Sequence, residues 1–105
     1  LPRTAAEYGF AYVLTVSDDL RTHLLAVNLS FEDDGSCCVP VGRSTARNAT
    51  ARPAVALVFP PPDPTRYSLI VDATATVERR GDEHVVTLRP ERAVLHRPAP
   101  PAAPH

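Results

Sequence analysis

The strongest constraint on this chain's fold is its rhythm of strand-like runs. Six apolar, β-branched or aromatic runs follow one another: FAYVLTV (10–16), THLLAVNLSF (22–31), CCVPV (37–41), AVALVF (54–59), YSLIVDATATVE (67–78) and HVVTLR (84–89). Such residues suit a pleated, half-buried surface. The gaps SDDLR, EDDGS and RRGDE carry turn chemistry, and PPPDPTR (60–66) is a stiff segment that cannot pair in a sheet. Short strands at this spacing predict an antiparallel sheet. A chain of 105 residues has room for one core. A sheet so apolar gains by curling, because a barrel removes exposed edges. The predicted fold is therefore mainly β, a six-stranded antiparallel barrel. Alternation along 22–31 puts His23, Leu25, Val27, Leu29 and Phe31 on one face. Pro40 argues that its strand lies at an edge or ends there.

One gap differs from the rest. In VPVGRSTARNATARPAVALVF (39–59) the insert between two apolar runs holds Arg43, Arg47 and Arg52 and no acid. Ser44 or Thr45 can cap a helix there, and Pro53 stops it. Ala, Arg, Asn and Thr give the interior a weak helix propensity, so tertiary contacts must hold it. A second short helix is expected to end at Gly9, in TAAEYG (4–9). The first amides of a helix lack intrahelical acceptors and attract anions. Arg43 and Arg47 are four apart and project from one face. Cations at a helix N-terminus oppose its dipole at roughly 0.3–1 kcal/mol each, which favours an anion in the site. The same residues also fit a solvated, arginine-bearing surface helix, and their chemistry alone leaves both readings open.

Several function classes have no support. A net charge of −1 gives no overall pull toward nucleic acid or an anionic membrane. All 11 basic residues are arginine, whose planar fork suits phosphate and carboxylate. The 2 cysteines, Cys37 and Cys38, are neighbours that face opposite sides of a strand, so one small core residue and one half-exposed thiol are expected instead of a disulfide. Sparse cysteine and the lack of a signal-peptide pattern lead us to expect a reducing cytoplasm. No apolar run reaches membrane-span length. His23, His84, His96 and His105 show no metal-ligand spacing, so no metal is expected. There is no nucleophile elbow, P-loop or Rossmann glycine pattern. Asp18, Asp19, Asp33 and Asp34 fall in turns and are expected to be exposed, while Asp72, mid-strand, must face solvent or be held by an arginine or by backbone donors. The expected domain spans 1–97, and the Pro/Ala-rich tail PAPPAAPH (98–105) lies outside it.

Taken in order, AYVLTVSDDLRTHLLAVNLSF, VPVGRSTARNATARPAVALVFPPP, YSLIVDATATV and PERAVLHRP resemble the pyridoxamine 5′-phosphate oxidase-like family of flavin-binding split barrels, in a short actinobacterial-type branch. The order of all four segments carries the resemblance, and Ser44, Arg47, Asn48 and Pro53 match the family's strand-to-helix junction. It implies a six-stranded split β-barrel with one or two short helices, and a homodimer with cofactors in grooves between the subunits. It implies FMN, or a deazaflavin of the F420 type, with its phosphate at that junction. Gly42, Arg43, Ser44 and Arg47 would hold the phosphate, His23, Val39 and Val41 would line the ring pocket, and Asn48 would steady the junction. His96 and Arg97 would reach the partner's groove. Arginine stands where the family has lysine, and the C-terminal substrate extension of the vitamin B6 oxidases has no counterpart, so the resemblance points to hydride transfer with an unidentified small molecule. A non-catalytic module that binds a flavin, a deazaflavin or heme is the alternative.

Overall fold

The computed structural model describes residues 10–61 and 67–96. The helix expected at 4–9, most of the proline segment 60–66, Arg97 and the tail lie outside the described residues. The elements run β1 (Ala11–Val16), β2 (Thr22–Val27), β3 (Ser30–Phe31), β4 (Cys37–Val41), α1 (Arg43–Ala51), β5 (Ala54–Phe59), β6 (Ser68–Arg80) and β7 (Glu83–His96).

All strands join one antiparallel sheet of 7 strands, in the order β2-β1-β5-β6-β7-β4-β3. The expected count of six is corrected by one break. The run 22–31 divides at residues 28–29 into β2, which pairs with β1, and β3, which pairs with β4. The two outermost strands of the sheet are thus consecutive in the chain. One bent segment reaches both edges, so the sheet curls without closing. No single straight strand can follow two partners whose directions diverge through the sheet's twist.

Two other boundaries differ from expectation. The last run does not stop at Arg89, because β7 continues through Pro90 to His96. Asp72 pairs with Arg92 and Ala73 with Pro90, which leaves Glu91 as the extra residue of a bulge. A bulge tolerates the amide that proline lacks, and the Thr74 hydroxyl donates to the Glu91 carboxylate there. The helix begins at Arg43 with Gly42 as its N-cap, so neither Ser44 nor Thr45 caps it. The cap position is itself a glycine, which has no side chain to offer the first amides.

Alternation decides what is inside. Val13, Leu57, Val71, Val86 and Leu88 are all at most 2% exposed and form the centre of the core. Cys37 joins them, while Cys38 is half-buried beside the Thr87 hydroxyl. Asp72 faces out and accepts from Arg92 at 3.0 Å. The outward face is also apolar in places. Ala26, Tyr12, Val58, Ile70 and Val94 are consecutive cross-strand neighbours over five strands, and Leu24 and Val94 are 60% and 52% exposed. Among the described residues, no helix is long and apolar enough to cross a membrane.

Candidate functional site

β4 pairs with β3 only at Cys37 and Cys38, so its far half, Val39–Val41, has an open edge. Pro40 lies on this stretch, where a missing amide leaves no ladder partner wanting. Across the opening lies β2. The seam between them is a groove of about 500 Å³, lined by Leu25, Ala26, Val27, Pro40, Val41, Gly42, Arg43, Asp82, Glu83 and His84. The barrel's split is therefore itself the cavity.

The chain turns into α1 at the rim of this groove. Gly42 has extended backbone, φ −77° and ψ 174°, and a Cβ placed there would meet nothing within 4 Å. No side chain caps the helix, and the first turn holds no acid. The first internal bond runs from the Ala46 amide to the Gly42 carbonyl at 3.0 Å. The amides of Arg43, Ser44 and Thr45 are left for an outside acceptor.

Small residues let the helix sit close. Ala46, Asn48 and Ala49 are buried against the sheet, and the helix packs on β1, β6 and β7. The Asn48 Nδ2 donates to the Thr15 Oγ1 at 3.2 Å, with both side chains buried. At the helix end, the Arg52 amide donates to the Asn48 carbonyl at 2.8 Å. The Arg52 guanidinium pairs with Asp18 in the β1–β2 turn at 2.9 Å. Its place beside Pro53 at the helix end would leave Arg52 to water or the C-terminal dipole; the structure pairs it with an acid instead.

The three arginines of the insert thus divide. Arg52 is neutralised, while Arg43 and Arg47 carry no ion pair among the described residues. Both line a second cavity of about 370 Å³, with Ala46, Thr50, Ala51, Val77 and His84. Arg43 and His84 line both cavities and so stand at the boundary between them.

Of the residues singled out from sequence, Val41, Gly42 and Arg43 lie in the first groove and Arg43 and Arg47 in the second. Asn48 lies beneath them as a tether. Ser44 is exposed on the first turn and lines neither cavity. Val39 is a core residue at 5% exposure. His23 is exposed on β2, directly across from Thr15, two residues before Leu25 and outside both grooves. His96 ends β7 and is paired with Ser68. The first groove also takes Asp82, Glu83 and His84, of which the sequence raised only His84, and only as a metal ligand. A usable signal existed, because His84 precedes Val86 and Leu88 at two-residue steps and so shares their face of the strand. Among the described residues, no group of three or more His, Cys, Asp or Glu converges as a metal site.

The chain is 38% identical, over 119 aligned positions, to the uncharacterised proteins Mb0449c of Mycobacterium bovis and MT0457 of Mycobacterium tuberculosis, covering 99% of this chain and 84% of each relative. It belongs to one family with them. No protein-family model matches the chain. Among solved structures, a candidate pyridoxamine 5′-phosphate oxidase of Listeria innocua superposes with a TM-score of 0.72 at 14% identity, over 90% of this chain and 93% of that one. The fold is the pyridoxamine 5′-phosphate oxidase-like split barrel. An F420 reductase shares this split barrel with a TM-score of 0.69 at 18% identity, over 88% and 94% of the two chains. The heme storage protein HutZ of Vibrio cholerae also shares it, with a TM-score of 0.68 at 16% identity over 90% of each chain. Proteins named for different ligands thus share this one frame.

Proposed function

We propose that this protein is a flavin-dependent oxidoreductase that holds FMN or an F420-type deazaflavin, with the cofactor phosphate at the start of α1. The observation that carries the reading is the division among the three arginines. Arg43 and Arg47 are unpaired beside a cavity and next to three free amides, whereas Arg52 is neutralised by Asp18. Charge left uncompensated on the cavity side of a short helix calls for an anion. The residues present fit such a group. Arginine forks and amides supply donors, Gly42 leaves the rim open to close approach, and Leu25, Val27 and Val41 offer an apolar wall for a ring. When bound, the cofactor would supply hydride transfer to or from a small molecule. The protein's own part is to fix the phosphate, orient the ring and keep water from its apolar side.

We further propose a homodimer. The outward row Ala26–Tyr12–Val58–Ile70–Val94 is apolar across five strands, roughly 19 Å at the usual strand spacing. Monomers rarely leave so continuous an apolar surface in water, and a second copy covers the same patch on both subunits.

Arginine substitution tests the phosphate site. Arg43→Ala and Arg47→Ala should each weaken FMN or F420 about tenfold or more, since hydrogen bonds to charged groups contribute ~1.5–3 kcal/mol. Arg52→Ala should leave the affinity within about twofold, and an equal loss in all three variants would sink the assignment. Mass spectrometry of the ligand released from natively purified protein names the cofactor. Bound flavin without turnover by reduced nicotinamide or oxygen would favour the non-catalytic module, and a heme absorbance band would name heme.

A further inference from the structure

Cross-strand registration sets three successive rungs on the inner face of β4, β7 and β6. They are Cys37–Leu88–Ala75, then Val39–Val86–Val77, then Val41–His84–Arg79. The first two rungs are apolar core, with Val77 half-buried. The third is the last before the β6–β7 turn and lies at the mouth beside α1. His84 thus stands in a core-phase position where the pattern leads one to expect another valine. A polar group there needs a partner or water. Among the described residues His84 makes no hydrogen bond or ion pair, yet no buried side-chain nitrogen or oxygen lacks a partner. Its ring nitrogens are therefore reached by solvent, and the residue lines both cavities.

The two cavities differ in charge. The one beside β2 holds Asp82 and Glu83 together with Arg43. The one under α1 holds Arg43, Arg47, Thr50 and His84 and no acid. The two carboxylates make the first the less favourable place for a phosphate, and the second holds cations alone. The apolar residues Leu25, Val27 and Val41 line only the first.

Resting on the cofactor reading above, we infer that both cavities serve one elongated ligand and that His84 is an anion-binding residue at their junction. The phosphate sits in the acid-free cavity against Arg43, Arg47 and His84. The planar body lies in the seam along Leu25, Val27 and Val41. Asp82 and Glu83 at the seam bias the ligand to this direction and against its reverse.

The test compares FMN with riboflavin, and F420 with its phosphate-free deazariboflavin parent, by fluorescence titration. His84→Ala should weaken the phosphorylated compound about tenfold and its parent by less than about twofold, on the scale of one hydrogen bond to a charged group. His84→Gln, which keeps a donor, should recover part of the loss, and thermal melts of both variants report on folding. A wild-type preference for the phosphorylated compound that survives His84→Ala unchanged overturns the role of His84 alone. An equal loss for both members of a pair does so too, since the contact would then be to the ring. Asp82→Asn with Glu83→Gln should leave the preference within about twofold, and a tenfold rise would overturn the orientation by placing the phosphate in the seam. A wild type that prefers neither phosphorylated compound over its parent overturns the underlying phosphate reading, and this inference with it.

Discussion

The Asn48–Thr15 hydrogen bond offers a quantitative test of how the site is built. It ties the middle of α1 to β1 across 33 residues of sequence, at 3.2 Å. Asn48 is 4% exposed and Thr15 2%, so water replaces neither partner easily. Asn48→Ala removes the donor and strands a buried hydroxyl, a loss of about 1–3 kcal/mol. Thr15→Val is close to isosteric and strands the amide nitrogen at a similar loss. For a domain near this size, 1 kcal/mol moves Tm by roughly 4–8 °C, so each single variant should melt about 8–16 °C lower if the loss is near 2 kcal/mol. The double variant has no stranded partner. Its loss should fall short of the sum by at least about 0.5 kcal/mol, beyond the scatter of independent sites. Urea unfolding of the four proteins gives the coupling. Strict additivity would falsify the tether. Because the same helix presents Arg43 and Arg47, FMN affinity should fall in Asn48→Ala even at temperatures where the protein is folded.

Other outcomes follow from single residues. Burial pushes the Cys37 thiol up to about 11 from 9.0, so at pH 8 iodoacetamide should label the half-buried Cys38 and leave Cys37 intact by mass spectrometry. The folded state holds the Cys37 proton where the unfolded state has lost it, so stability is full below pH 9 and declines as pH rises toward 11. Melting curves should show that decline, and Cys37→Ala should flatten it. Leu20 holds φ 63° at 75% exposure in the β1–β2 turn. Leu20→Gly should therefore raise stability by about 0.5–1 kcal/mol in urea titrations, and a loss would mean that the side chain packs. Leu24→Glu with Val94→Glu should convert a dimer to monomers in light scattering, and an unchanged mass would place the interface elsewhere.

The sequence made the strands legible because each carries its own alternation and each gap its own turn chemistry. Gly81, at φ 63° in the β6–β7 turn, is one such local mark. What stayed hidden was set by distant partners. Nothing within THLLAVNLSF marks residues 28–29 as a break, since both halves keep the same phase. The division comes from β1 on one side and β4 on the other. Pro90 read as a strand end because proline usually ends a ladder, and only the opposite strand supplies the bulge that admits it. At the site, the junction at Gly42 and the arginines at 43 and 47 could be read from the helix-start pattern. The Arg52–Asp18 pair could not, because its two members lie 34 residues apart.

His84 joins these two kinds of information. Its phase within HVVTLR is local and marks it as inward-facing. That it ends the core at a mouth, and does not lie within the core, depends on β4 stopping at Val41 and the chain turning into α1. A valine here would extend the core by one rung and leave the α1 cavity with two cations and an apolar floor. A histidine gives that floor a polar atom without closing it. The rung where the pattern keeps its phase but changes its chemistry is thus where the core gives way to the two cavities. The same test applies to the mycobacterial relatives. If this histidine reads the anion, a polar donor should recur at the aligned position wherever the cations equivalent to Arg43 and Arg47 recur, and an apolar residue should stand there where those cations are absent.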